Sequence, residues 1–172
     1  MITLTTKSGS GSNFTEGWHH VTVSSAKYGE LDNGAKYIDT WFEDYPTTFN
    51  MRMYAKTSKT GEEFAIANLF RYAMAGIEEV SAGAAEGESI VKIDDTATNL
   101  IGKSFWIFLY KNEEGYSRVL QRIAPQEGEG KLDTFTENDV KYWKQRAEDY
   151  FTQWVEPNIG SKPAEKTDEV PF

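Results

Sequence analysis

The period of the apolar residues switches between two and about 3.6 along this chain, and this switching constrains the fold more than any other feature. Alternation of apolar and polar residues is typical of strands that are buried on one face. It occurs in residues 18–28, 36–45, 49–55, 104–111 and 116–124. The last two segments surround the turn sequence Asn112 to Gly115, which predicts a hairpin. Residues 62–77 carry apolar side chains at steps of three and four, which predicts a helix between the third and fourth strands. Residues 78–98 are expected to form a long connection with a short strand at 90–93.

The chain after Pro125 has a different character. An acidic linker that contains glycine comes first, and residues 137–155 then return to helical spacing with an aromatic face. Residues 157–172 hold too few apolar side chains to build a core, so we expect a flexible acidic tail. The sequence therefore predicts three regions, which are a β domain over 1–125, a linker and helix over 126–156, and the tail.

The predicted order β-β-β-α-β-β is that of the OB-fold, a five-stranded Greek-key barrel that binds oligonucleotides or oligosaccharides across one face. We therefore expect a mainly β protein in which an OB-fold barrel carries an added C-terminal helix. The first twenty residues lack the apolar run of a signal peptide, and the longest apolar run is Phe105 to Tyr110. We expect a cytoplasmic protein that does not span a membrane.

Composition narrows the chemistry. The 172 residues include no cysteine, which excludes disulfides, thiolate nucleophiles and cysteine-ligated metals. His19 and His20 are adjacent, so on a strand they point to opposite faces and cannot share a metal. Gly102-Lys103-Ser104 resembles the end of a phosphate-binding loop, but Ala97 stands where that motif needs glycine. We expect no catalytic residue, metal or cofactor. A magnesium-dependent nuclease stays open through the pairs Asp94-Asp95 and Glu78-Glu79.

If one face of each strand fills a barrel interior, the alternate positions face outward. Those positions, with the turn after the third strand, carry aromatic and basic residues together: Trp41, Arg52, Tyr54, Lys56, Trp106, Phe108, Tyr110, Arg118 and Arg122. Unpaired bases stack on flat rings while arginine and lysine follow the phosphates, so this mixture predicts a surface for single-stranded nucleic acid. An alternative stays open for the fourth strand, whose Trp106, Phe108 and Tyr110 could instead pack beneath the C-terminal helix.

The chain ends Thr167-Asp168-Glu169-Val170-Pro171-Phe172. This ending resembles the acidic tip of bacterial single-stranded DNA-binding proteins. The resemblance implies that Phe172 enters an apolar pocket on a partner while its carboxylate meets a basic side chain. Val170 and Pro171 would accompany it, and Asp168 and Glu169 would lie along a positive rim of that partner.

The body resembles phage-encoded single-stranded DNA-binding proteins of OB-fold type, through Tyr28 to Asp39 and Leu100 to Lys103. This resemblance implies a protein of the host cytoplasm that coats DNA replication, recombination or repair intermediates without sequence preference. Host or phage replication and repair proteins would be recruited through the tip, and homo-oligomers stay open. The alternatives are a strand-annealing or recombination mediator and a structural phage interaction module. The net charge of −9 divides into −4 for residues 1–123 and −5 for residues 124–172, so much of it lies outside the barrel.

Overall fold

A computed structural model describes residues 1–5 and 14–159 of the chain. The protein is mainly β, with antiparallel sheets and one long C-terminal helix. The strands are β1 (Gly17–Glu30), β2 (Lys36–Phe42), β3 (Met51–Tyr54), β4 (Ile77–Ala82), β5 (Ser89–Ile93), β6 (Ser104–Lys111), β7 (Ser117–Val119), β8 (Ala124–Pro125), β9 (Gly128–Glu129) and β10 (Thr134–Phe135). The helices are α1 (Ala65–Tyr72), a 3₁₀ turn (Ala97–Leu100) and α2 (Glu137–Tyr150), and a π-helical turn (Phe151–Val155) continues α2.

The long strand β1 organises the main sheet, whose order is β3-β2-β1-β6-β7 with β8 also paired to β6. Its first half pairs with β6 and its second half pairs with β2, and the register shifts between Val23 and Ser25. A bulge of this kind bends a strand, so one strand serves two neighbours that diverge.

The two outer strands β3 and β7 leave an open gap between them, and we call this gap the seam. In the described part of the chain no backbone ladder joins β3 to β7 or β8. The side-chain Nε2 of Gln121 instead donates to the backbone oxygen of Arg52 at 2.6 Å. The two edges of the sheet are therefore linked by a side chain rather than by strand pairing.

The core lies between the inner face of this sheet and α1. Its fully buried side chains include Val23, Ile38, Met51, Leu69, Phe70, Phe105, Ile107 and Leu109. The carboxylate of Glu63 accepts hydrogen bonds from three backbone amides in the first turn of α1, those of residues 65–67. These amides have no partner within the helix, so the carboxylate caps α1 and places it on the core.

Helix α2 begins at a capping box. Thr136 accepts from the backbone N–H of Asp139, whose carboxylate accepts from Thr136 in return. One side of the helix packs on the core, where Ala147 is buried and the Trp143 ring lies 5.3 Å from that of Tyr72. In the described residues no helix is both long and apolar enough to cross a lipid bilayer.

The secondary structure departs from the expectations in four places. The linker predicted between Pro125 and the C-terminal helix contains β9 and β10, which pair with each other. The helix predicted over 62–77 ends at Tyr72, because Met74 and Gly76 adopt positive φ and turn the chain away. The connection predicted over 78–98 holds the hairpin of β4 and β5, of which the apolar pattern indicated the second strand alone. The fifth predicted strand ends at Val119, after which Gln121 turns toward β3.

Candidate nucleic-acid interface

The nine residues predicted to contact DNA fall into two groups in the structure. Trp106, Phe108, Tyr110 and Arg122 lie against α2 and the π-helical turn that follows it. Trp41, Arg52, Tyr54, Lys56 and Arg118 lie away from this helix, around β2, β3 and β7. The structure therefore divides a surface that the sequence presented as one.

The outer face of β6 is covered rather than open. The ring of Phe151 lies 5.2 Å from the ring of Phe108 and 5.3 Å from that of Tyr110. The ammonium of Lys144 lies 3.5 Å from the centre of the Trp106 ring. Trp106, Phe108 and Tyr110 are therefore only partly exposed, because α2 and the turn that follows it pack against them. Packing beneath the C-terminal helix is the alternative that the sequence leaves open for this strand.

The electrostatics of the covered face agree with its partial burial. Burial raises the pKa of the Tyr110 hydroxyl above its ordinary value. Desolvation likewise lowers the pKa of Lys144, although Glu148 opposes that shift. The Glu148 carboxylate also accepts a hydrogen bond of 2.7 Å from the Trp18 indole on β1. Polar groups thus hold α2 in place at both β1 and β6.

Arg122 belongs to the same helix contact. Its guanidinium carbon lies 4.1 Å from the centre of the Tyr150 ring, a cation–π distance. Tyr150 on α2 therefore covers one face of the Arg122 guanidinium, and Arg122 remains half-buried.

An aromatic and cationic surface occupies the outward side of β2 and β3, where the rings of Tyr37 and Tyr54 meet edge to face. The guanidinium carbon of Arg52 lies 3.7 Å above the centre of the Tyr37 ring, and the ring of Tyr54 lies 5.9 Å from that of Tyr37. Tyr54 is 37% exposed. We call Tyr37, Arg52 and Tyr54 the platform. Its rings and guanidinium plane are the groups on which unpaired bases stack.

Asp39 holds Arg52 in this position. Its two carboxylate oxygens accept from Nε and Nη2 of Arg52 at 2.8 and 2.9 Å. The bond to Asp39 raises the pKa of Arg52 above its usual range, so the guanidinium stays charged. Asp39 also offsets that charge locally, so Arg52 attracts a phosphate less strongly than an unpaired arginine would. On the other side of β2, the register places Lys27 of β1 opposite Asp39.

Tyr37 was not among the residues predicted to contact DNA, although the sequence pattern around it indicates its position. Tyr37 shares the outward face of β2 with Asp39 and Trp41, and the register pairs it with Tyr54 on β3 and Gly29 on β1. A Cβ atom at position 29 would lie 2.5 Å from atoms of the Tyr37 ring, so glycine lets the ring lie across β1. A glycine on a strand can mark a close approach of this kind.

The remaining predicted residues surround the platform. The indole N–H of Trp41, on the same face of β2, donates to the backbone oxygen of Thr47 at 3.0 Å. Lys56 follows β3, and its backbone N–H donates to Glu63. Arg118 is exposed on β7 and lines one end of the seam together with Asn50. Cationic side chains therefore flank the platform at Lys27, Lys56 and Arg118.

Two further expectations concern the C-terminal tip and metal binding. The tip residues Asp168, Glu169, Val170, Pro171 and Phe172 are outside the described residues. Within residues 1–5 and 14–159, no group of three or more histidine, aspartate and glutamate side chains is arranged to hold a metal ion. Asp94 instead accepts from the backbone and side chain of Thr96, and these bonds lower its pKa.

The sequence matches no protein-family model and no curated protein sequence.

Proposed function

We propose that this protein binds single-stranded DNA without sequence preference on the outward face of β1, β2 and β3, and so coats and protects replication, recombination or repair intermediates. The observation that carries the proposal is the platform, where the exposed Tyr54 ring adjoins the Tyr37 ring and the Arg52 guanidinium lies 3.7 Å above that ring. Stacking on such surfaces is tolerant of sequence, because every base has a flat face.

The scaffold supports the same proposal. A long first strand that pairs with both the second strand and a strand after the helix is the arrangement expected of an OB-type sheet, and OB-folds bind oligonucleotides across this region. We propose that the sheet is an OB-type barrel whose edges are joined by Gln121 at the seam. The tip, with Phe172 as its anchor, is proposed to recruit replication or repair proteins.

The charges of the surface define how the strand would bind. Lys27, Lys56 and Arg118 flank the platform and can each meet a phosphate. Arg52 uses two of its five N–H donors on Asp39, so donors remain for a base or a phosphate. With a net charge of −9, the protein as a whole repels phosphates. We therefore expect stacking, rather than phosphate contact, to be the main source of affinity.

The test is a titration of fluorescent oligothymidine and of a duplex at several salt concentrations. We expect Tyr54→Ala to weaken oligothymidine binding by about 1–3 kcal/mol, the contribution of one stacked base. Tyr54→Phe keeps the ring and should bind as the wild type does. Tyr28→Ala removes a tyrosine of similar exposure, 39% against 37%, which lies opposite the core-facing Ile38 and donates to the backbone oxygen of Asp95, and it serves as the matched control.

Arg118→Ala should flatten the slope of log affinity against log salt by about 0.7, because one phosphate contact to a single strand is lost. Lys141→Ala removes an exposed positive charge on α2 and should leave the slope unchanged. The proposal fails if the wild type binds duplex as tightly as oligothymidine, or if Tyr54→Ala binds oligothymidine like the wild type.

A further inference from the structure

A second aromatic and basic surface lies on the other side of the seam. It is a groove of about 550 Å³ between α1, the end of β3 and α2. We call it the helical groove and define it by the side chains that give it its character: Phe64, Arg122, Trp143, Arg146, Tyr150 and Trp154. By sequence, the aromatic members lie on the apolar faces of the two predicted helices, and Arg122 lies on the β-domain surface.

Two of its rings are more exposed than packing requires. Trp154 is 61% exposed and Phe64 is 43% exposed. Neighbouring large apolar side chains in this state mark a surface that is covered by a ligand or a partner. Both side chains therefore present ring surface to solvent, which stacking on a base requires.

The π-helical turn contributes to the position of Trp154. In a regular α-helix, residues three apart lie on one face, so Phe151 and Trp154 would both face β6. The wider turn over Phe151–Val155 separates them. Phe151 contacts Phe108 and Tyr110, whereas Trp154 lines the helical groove. Single π-helical turns are common at functional sites.

The groove is also locally cationic in an acidic protein. In the described residues neither Arg122 nor Arg146 has a carboxylate within ion-pair distance. Arg146 donates to the Tyr142 hydroxyl at 3.3 Å, and Arg122 donates to the backbone oxygen of Gln121 at 3.2 Å. The acid in the lining, Asp149, accepts from Gln145. Two arginines therefore face the groove with charge available for an anion.

The helical groove continues from the platform strand. Met53 and Gln121 line it, and Gln121 Nε2 donates to the backbone of Arg52, a platform residue. The other amide atom of Gln121, Oε1, is buried and has no hydrogen-bond partner in the described part of the chain. The groove is therefore joined to the platform strand through the Gln121 side chain.

We propose that the helical groove is a second subsite for the same single strand, which crosses the seam from the platform so that its next nucleotides stack on Trp154 and Phe64 while Arg122 and Arg146 hold phosphates. This inference rests on the proposed function. It extends that function by assigning the C-terminal helix to the DNA-binding surface, on the face of α2 that carries Arg146 and Tyr150 rather than the face that packs on β6.

The test uses oligothymidylates of roughly 4 to 16 nucleotides, the range of site sizes of OB-folds, with wild type, Trp154→Ala and Trp154→Phe. Affinity of the wild type should rise with length as the strand reaches the groove. Trp154→Ala should lose roughly 5- to 150-fold on the longer oligonucleotides, the loss expected for one or more stacked bases, and little on the shortest. Trp154→Phe retains a ring and should keep most of the gain.

Charge and location are tested separately. Arg146→Gln should flatten the salt dependence of long-oligonucleotide binding, whereas Lys141→Gln, on the same helix outside the groove, should not. Ultraviolet cross-linking should attach the long oligonucleotides to the peptide that contains Trp154. Because Trp154 is largely exposed, its replacement leaves folding intact, which circular dichroism verifies.

The outcomes separate this inference from the proposed function. If Tyr54→Ala weakens binding at every length while Trp154→Ala binds all lengths like the wild type, the helical groove is not a DNA subsite and the platform stands. Equal losses for Trp154→Ala at all lengths, without cross-linking to its peptide, would also overturn the subsite. If the wild type binds no oligothymidine, both proposals fall.

Discussion

Replacement of Phe151 tests whether the outer face of β6 is a structural contact or a DNA surface. The Phe151 ring forms two aromatic pairs, with Phe108 and Tyr110, at 5.2 and 5.3 Å. Each pair contributes about 0.5–1.5 kcal/mol beyond the area it buries, so the two contribute about 1–3 kcal/mol. Loss of the apolar area of a half-buried ring adds about 1 kcal/mol. Phe151→Ala should therefore lower the free energy of unfolding by about 2–4 kcal/mol.

Urea unfolding measures this change through the midpoint at constant slope. A double-mutant cycle with Phe108→Ala should give a coupling energy of about 0.5–1.5 kcal/mol, because the two rings touch. The affinity of each folded variant for the shortest oligothymidine, which the platform alone binds, should equal that of the wild type, since the helix contacts this face. Trp106→Ala should follow the same pattern.

The opposite result would refute the reasoning. If Phe108→Ala or Trp106→Ala kept the urea midpoint of the wild type but lost affinity for oligothymidine, α2 would have to leave β6 when DNA binds. The aromatic side chains of β6 would then be the DNA surface that the sequence predicted.

Three further predictions concern the platform, the covered face and the tip. Gly29→Ala should lower the urea midpoint and weaken oligothymidine binding, because its Cβ displaces the Tyr37 ring, whereas Gly128→Ala has open space and should change neither. Burial lowers the pKa of Lys144 in the folded state, so the charged side chain costs stability at every pH below that pKa. This cost is relieved as the pH rises from the folded pKa toward the unfolded value of 10.5. Lys144→Met should therefore reduce the rise in urea midpoint over that pH window. Removal of residues 168–172 should keep or raise DNA affinity, because it removes two acidic side chains. The same truncation should abolish capture of replication or repair proteins. Equal recovery of such proteins by the full chain and the truncated chain would exclude the tip from recruitment.

The sequence by itself determined the strands and helices whose apolar period is regular. Alternation in residues 18–28 and 104–111 predicted β1 and β6, because burial of one face of a strand appears directly as a period of two. The aromatic stripe after Glu137 predicted α2 in the same way. The hairpin of β4 and β5 was half missed, because its partly exposed strands carry a weak apolar pattern.

Tertiary structure decided which outward residues remain accessible. Trp106, Phe108 and Tyr110 alternate on β6 as Tyr37, Asp39 and Trp41 do on β2, so the sequence cannot distinguish the two faces. Packing of α2 distinguishes them, since Phe151 and Lys144 cover the face of β6. The platform likewise depends on the register between β2 and β3, which brings Arg52 over Tyr37. The same register pairs Arg52 with Asp39, which lies thirteen residues earlier in the chain. Alternation reports the side of a strand on which a residue lies, but long-range packing determines what covers that side.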